Sequence, residues 1–257
     1  MGIFICEQYS GNDGIVLHEG TLKSQFNYPV TIIPRENNFL IPYFNYMPNF
    51  NQPVAIPYIP HKNHYNDVLS AVVSYCNNFN SQIIIGNGYY ELYFFFSGCN
   101  KYNKPITIPD SVTHCTRFIS SCHNFNAPIT FPNTLQNIYF GFVTYCNNFN
   151  QPLDFSGCEN LYSFDRLVEG CRNFNAPVTL PNNSRTRYYF NEAFAYCSKF
   201  NQSIYIPYNT YGIYNMFDDC TSLWSDIYLP RKFNNRKTTS FWENCPVSVE
   251  NGTLHFY

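Results

Sequence analysis

The side chains able to do chemistry are spread thinly along this 257-residue chain. Six histidines stand at His18, His61, His64, His114, His123 and His255; only His61 and His64 are close neighbours, with Asp67 the one nearby carboxylate. A metal needs more ligands than that, so this stretch reads as a solvated loop. Asp165, Glu169 and Glu192 fall on successive repeats and read as isolated carboxylates, which argues against paired acid and base work. No glycine-rich phosphate cradle, GxSxG elbow or HExxH motif occurs. Neither catalysis nor a cofactor is expected. What remains is tyrosine, 23 residues each joining a flat apolar face to a hydroxyl, a combination that suits sugar rings and protein hot spots alike.

A repeat must position those tyrosines. A short phrase returns about ten times, most legibly as Cys122-His123-Asn124-Phe125-Asn126-Ala127-Pro128-Ile129-Thr130-Phe131-Pro132 and again from Cys146 to Leu153. Its aromatic position falls at Phe26, Phe50, Phe79, Tyr102, Phe125, Phe149, Phe174 and Phe200, then degenerates to Leu223 and Ser248. The steps are 23 to 26 residues, with a single step of 29. Self-similarity at a near-fixed interval is the signature of a solenoid. The expected fold is a repeat solenoid of about ten coils, mainly β with short turns or helical turns. Residues 21–245 form the stack, between an N-terminal cap at 1–20 and a C-terminal cap at 246–257. At the ~4.8 Å spacing of paired strands the rod would be roughly 45 to 50 Å long.

The columns of the repeat have distinct physical readings. After a proline such as Pro105, Pro128 or Pro152, apolar residues fill every second place, as in Ile106 and Ile108 or Val178 and Leu180. That predicts a strand of about four residues with one face buried, ended by a second proline such as Pro109 or Pro132. A second apolar set follows at wider spacing, for example Val112, Cys115 and Ile119. The cysteine column, Cys76, Cys99, Cys122, Cys146, Cys171, Cys197, Cys220 and Cys245, has Met47 in its earlier place, which indicates an apolar slot filled by reduced thiols. Eleven cysteines and no CxxC spacing argue against a disulfide framework and against structural zinc. The amides of Asn27, Asn51, Asn80, Asn103, Asn126, Asn150, Asn175 and Asn201 form a structural ladder, each expected to bond the backbone of the coils on both sides.

The outward residue of the strand reads Thr31, Ala55, Ile84, Thr107, Thr130, Asp154, Thr179, Tyr205 and Tyr228. On the second segment the corresponding place reads Tyr93, Thr116, Tyr139, Asp165, Asn191 and Tyr214, with Tyr189 two before Asn191. The candidate binding surface is Tyr93, Tyr139, Tyr189, Tyr205, Tyr214 and Tyr228; the alternative is that tyrosine serves there only as a good strand former.

The pattern Phe-x-x-Cys-x-x-Phe-Asn-x-Pro-Ile-x-Ile-Pro resembles the leucine-rich repeats of the BspA type over about residues 21 to 245, with its closest match at Met216 to Leu223 followed by Ile227-Tyr228-Leu229-Pro230. It departs from that family where Phe-Asn replaces the usual leucine before the strand, and in its density of tyrosine and phenylalanine. The resemblance implies a leucine-rich-repeat-like solenoid. Members of that family occur on bacterial and protozoan surfaces, as adhesins, and in phage and other viral genomes, so it also implies binding rather than catalysis.

Composition narrows the partners. The chain is 45% hydrophobic, 19% aromatic and 12% charged, which describes an ordered protein. A net charge of -2, with 15 scattered Lys and Arg, leaves no footprint for nucleic acid. No apolar run approaches the roughly 18 residues of a membrane span, so no membrane insertion is expected. The start, Met1-Gly2-Ile3-Phe4-Ile5-Cys6-Glu7, lacks a basic region followed by a long apolar stretch, so no Sec export is expected either. The resulting expectation is a non-enzymatic binding or structural protein on a phage virion surface, a fibre, decoration or host-attachment component. Its partners would be other virion proteins or a host surface protein or glycan. The alternatives are an intracellular protein-interaction module in the cytoplasm and a bacterial surface adhesin.

Overall fold

The computed structural model describes residues 4–7, 26–28, 30–33, 44–56, 68–70, 72–181, 183, 186–234, 242–248 and 250–257. The chain coils as a parallel β-solenoid of about eight turns with almost no helix. The sequence count of about ten coils includes incomplete turns at the two ends, and seven turns carry a strand on the second face among the described residues.

Each turn has three faces. The first carries the strands that follow the aromatic and asparagine columns, including Val54–Ile56, Ile106–Thr107 and Ile129–Thr130 directly after a proline, and Ile83–Ile85, Ile204–Tyr205 and Ile227–Leu229 after Gln82, Ser203 and Asp226. They are two to four residues long and pair in parallel, Val54 with Ile83, Ile106 with Ile129 and Ile204 with Ile227. Phe4–Glu7 joins one end of this face by pairing with Val30–Ile33, and Leu254–Phe256 joins the other by pairing with Ile227–Leu229. The alternation is visible at Val54–Ile56, where Val54 and Ile56 are buried and Ala55 is exposed. Pro109, Pro132 and Pro207 then accept turn hydrogen bonds on their carbonyls from Val112, Leu135 and Thr210, which ends the strand.

The second and third faces account for the wider apolar spacing. Seven strands, from Val68–Ser70 to Thr210–Gly212, make the second face, and five, Phe44–Asn45, Val73–Ser74, Phe96–Ser97, Ile119–Ser120 and Val143–Thr144, make the third. Among the described residues a left-handed residue marks the corner between the two: Phe94, Arg117, Phe140, Arg166, Glu192 and Asn215 have φ between 46 and 55°, and Gly141 follows Phe140 at 114°. A second left-handed residue precedes the cysteine column, among them Tyr75, Tyr145, Tyr196 and Asp219. Cys115 and Phe118 therefore both point inward although three residues apart, because the corner at Arg117 re-aims the chain between them.

The core is a set of continuous columns. Rings stack along the axis from Phe26 through Phe50, Phe79, Tyr102, Phe125, Phe149 and Phe174 to Phe200, with centroids 5.6 to 6.0 Å apart. The thiols from Cys76 to Cys220 are fully buried beside them and free of disulfides, and Cys171, Cys197 and Cys220 donate to the carbonyls of Val143, Val168 and Phe194 in the preceding turn. In each turn the aromatic N–H closes a tight bend on the Met47 or cysteine carbonyl, as Phe125 does on Cys122 at 2.9 Å.

The asparagine ladder runs in one direction only. The side-chain oxygen of each ladder residue accepts the backbone N–H of the ladder residue in the next turn, Asn51 on Asn27, Asn103 on Asn80 and Asn201 on Asn175, at 2.7 to 2.9 Å. The expected bond to both sides is not formed, because the side-chain oxygen faces only the following coil. Trp224 and Ser225 terminate the ladder by donating their N–H groups to Asn201.

Candidate binding surface

The six sequence-nominated tyrosines lie on two faces. Tyr93, Tyr139 and Tyr189 end second-face strands and Tyr214 lies just beyond that face, whereas Tyr205 and Tyr228 are on the first. Tyr205, Tyr214, Tyr139 and Tyr189 are exposed; Tyr93 and Tyr228 are half-buried. In register, Thr116 stands between Tyr93 and Tyr139, so these two do not stack on one another.

Tyr139 instead belongs to a polar cluster on the second face. Its hydroxyl lies 3.3 Å from that of Tyr162, which accepts a hydrogen bond from Asn137 Nδ2 at 2.6 Å. His114 stacks on Tyr90 with centroids 4.5 Å apart, and Thr113 Oγ1 lies 2.8 Å from its Nδ1. Burial pushes the His114 pKa below its ordinary value, against the pull of Glu91 in the other direction. This imidazole is thus stacked and hydrogen-bonded.

The strongest concentration of exposed rings comes from one turn. Tyr205, Tyr208, Tyr211 and Tyr214 are spaced three apart in sequence and are all more than half exposed. Pro207 turns the chain in the middle of this run, so Tyr205 faces one side and Tyr211 and Tyr214 the next. Tyr257 stacks on Tyr205 at 4.5 Å and His255 on Tyr228 at 4.7 Å. Lys232 places its ammonium 5.1 Å from the Tyr211 ring centre and 5.5 Å from that of Tyr208, and donates to the Tyr208 carbonyl at 2.8 Å. Arg187 lies 4.9 Å over Tyr211. Two shallow hollows flank the turn, one of about 570 Å³ beside Tyr205 and Tyr208, the other of about 520 Å³ beside Tyr211, Tyr214 and Lys232. Rings held by neighbouring cations are pre-ordered, which lowers the entropy lost when a partner docks on them.

Sequence reasoning took Tyr205 and Tyr214 from this turn and missed Tyr208, Tyr211, Lys232 and Arg187. The signal was present as tyrosine at every third place from 205 to 214. Tyr208 falls in the turn and Tyr211 in the middle of the strand Thr210–Gly212, both outside the outward columns. The isolation expected of the carboxylates also fails: Arg166 lies 2.8 Å from Glu192 and 3.7 Å from Glu169, joining two successive turns. The histidine pair His61 and His64 and most of the N-terminal cap lie outside the described residues. Among the described residues no group of three or more His, Cys, Asp or Glu is arranged to hold a metal, and no helix is long and apolar enough to cross a membrane.

Two overlapping segments, residues 87–209 and 137–247, match the model of a family described as "Mycoplasma protein of unknown function, DUF285". Together they span well over half of the chain. Searches of curated proteins and of solved structures return no match.

Proposed function

The chain belongs to this DUF285 family, and from that premise we propose that it is a non-enzymatic solenoid protein that binds a partner macromolecule through its tyrosine-rich C-terminal turns. The observation that carries the reading is the exposure of Tyr205, Tyr208, Tyr211 and Tyr214 around one proline bend, with Lys232 and Arg187 held against their rings. A turn needs none of these side chains for its core, which is built from Phe200, Ile204, Ile206 and Ile213. Tyrosine at the centre of an interface supplies large contact area at low entropic cost, and its hydroxyl suits protein or glycan equally.

The printed family description concerns mycoplasma proteins, which favours a cellular surface adhesin or an interaction module over a virion component. The virion reading rests on composition and on the BspA-type resemblance. The leucine-rich-repeat affiliation is likewise part of this proposal; its support is the repeat length and the Cys and Ile-x-Ile-Pro columns.

The test is binding of the purified full chain to a glycan array and to intact host cells, beside a variant with Tyr205, Tyr208, Tyr211 and Tyr214 all changed to serine. The reading predicts loss of binding at unchanged melting temperature. Equal binding by both proteins overturns it.

A further inference from the structure

A second groove, of about 920 Å³, lies along the third side of the later turns, apart from the tyrosine run at 205–214. Its floor is one column, the residue two places before each cysteine. In the earlier turns that column reads Ser74, Ser97, Ser120 and Thr144; in the later ones it reads Glu169, Ala195 and Asp218, followed by Glu243. Glu169 and Asp218 are 4 and 8% exposed, so two carboxylates are buried two turns apart with only a methyl group at the level between them.

The walls are aromatic and charged. Tyr145 and Tyr196 stand on one side, both left-handed and both close to half exposed. The Tyr145 hydroxyl donates to Glu169 Oε1. Arg166 and Glu192 form the other side, paired at 2.8 Å. Arg166 neutralises the Glu169 and Glu192 end, while at the far end Asp219 follows Asp218 and accepts from Asn244 Nδ2 at 3.0 Å. Burial, then the nearby charges of Glu243, Asp219 and Glu192, push the Asp218 carboxyl above its ordinary value. Four carboxylates and two guanidinium groups line the groove in all.

The molecule shows elsewhere what such corner columns do with a cation. In the earlier turns the Arg117 guanidinium lies between Phe94 and Phe140, 4.9 and 5.7 Å from the two ring centres. The groove repeats the aromatic part of that arrangement and adds an excess of negative charge. A neutral sugar gains nothing from this excess, whereas a cation gains from both the carboxylates and the rings.

The geometry points to this groove as a docking site for a basic peptide segment, with one guanidinium or ammonium group at the level of Ala195, between Glu169 and Asp218 and against the Tyr196 ring. The site is separate from the tyrosine surface proposed above, and either can fail without the other.

The experiment titrates a short acetylated peptide of alternating arginine and glycine into the full chain by calorimetry. Three parallel arms use the matching glutamate and glycine peptide, calcium chloride, and diacetylchitobiose. The arginine peptide is expected to bind, to lose about tenfold in affinity on raising salt past the screening range, and the glutamate peptide not to bind. Asp219→Asn keeps a residue type that the next turn already holds at the same left-handed place, Asn244, and should weaken binding by about tenfold. Tyr196→Gly removes the ring at a φ of 62° that glycine adopts freely and should weaken binding as well. The salt series on the unsubstituted chain decides the matter even if a variant folds poorly. Binding of calcium or the sugar without the arginine peptide, salt-independent binding, or unchanged affinity in both folded variants overturns the proposal.

Discussion

The turns before Cys146 and those after it share one core and differ on one face. Up to Val143–Thr144 the third face is a strand ladder, whereas residues 165–170, 191–196 and 214–219 make hydrogen-bonded turns, each holding two left-handed residues, in the same place. Residue types explain the switch. Ile119, Val143 and Thr144 are β-branched and favour the ladder, whereas Leu167-Val168-Glu169, Ala193-Phe194-Ala195 and Met216-Phe217-Asp218 hold one β-branched residue between them, Val168. These segments close locally, Leu167 on Phe164 and Ala193 on Phe190, yet still bond across turns, Val168 to Ala193 and Phe194 to Met216. The ring stack passes through this boundary without a break, from Phe149 to Phe174 at 5.9 Å. The lesson is that the interior fixes the coil while the third face is free to change its chemistry.

If the core is truly common, both regions should fail together in alkali, and this is the largest effect expected. Burial pushes the thiols of Cys76 and Cys171, one in each region, up to about 12 from an ordinary value of 9.0. A thiol whose folded pKa is raised stabilises fully below its unfolded pKa, and that stability drains away as pH rises from there toward the folded value. Each such thiol then removes up to about 1.4 kcal/mol per pH unit. Amide exchange followed between pH 8 and 10.5 should show the two regions loosening at one pH; early loss of the later turns alone would break the comparison.

Phe125→Ala and Phe200→Ala should each cost about 3 to 5 kcal/mol in denaturant unfolding, since each ring is stacked on both sides. A difference above about 2 kcal/mol between them would mean that the core is not equivalent in the two regions. Glycine separates the regions more finely. A Cβ at Gly98 would lie 2.7 Å from the Tyr75 ring and one at Gly170 2.5 Å from the Tyr145 ring, with φ of 63 and 71°. Only Tyr145 is anchored to a buried carboxylate, Glu169, so Gly170→Ala should be the costlier of the two, by about 1 kcal/mol of an overall 1 to 3. Asn126→Ala and Asn175→Ala should cost about 1 kcal/mol each by thermal melting, each losing one ladder bond and an exposed bond from the glutamine beside it, Gln151 or Gln202. The smallest change is Tyr102→Phe. Its hydroxyl is buried without a partner within the ring stack, so removal should leave stability unchanged or raise it by a few tenths to about 1 kcal/mol.

The core was legible because its columns repeat the same letters: Cys122 and Cys146, Asn126 and Asn150, Phe125 and Phe149 announce a register by identity. The three-faced cross-section was not, because the corners are left-handed at Phe94, Arg117, Glu192 and Tyr196, types that carry no turn signal of their own. The corner at Arg117 buries both Cys115 and Phe118, three places apart, a step that no straight strand allows. The acidic groove was hidden for a related reason. Glu169 and Asp218 are 49 positions apart and fall in one column, on either side of Ala195, only once the turns are aligned on cysteine. Read that way, the change from Ser97, Ser120 and Thr144 to Glu169, Ala195 and Asp218 is visible in the letters alone.

The one-way asparagine bond bears on how such a molecule changes over generations. Each turn asks of its predecessor one side-chain oxygen and offers its successor the same, as Asn103 takes from Asn80 and gives to Asn126. Identical sockets make a turn an interchangeable module, so duplicating or deleting one whole repeat lengthens or shortens the rod without redesigning its neighbours. Loss of half a repeat has no such licence, since it would present the wrong socket to the next coil.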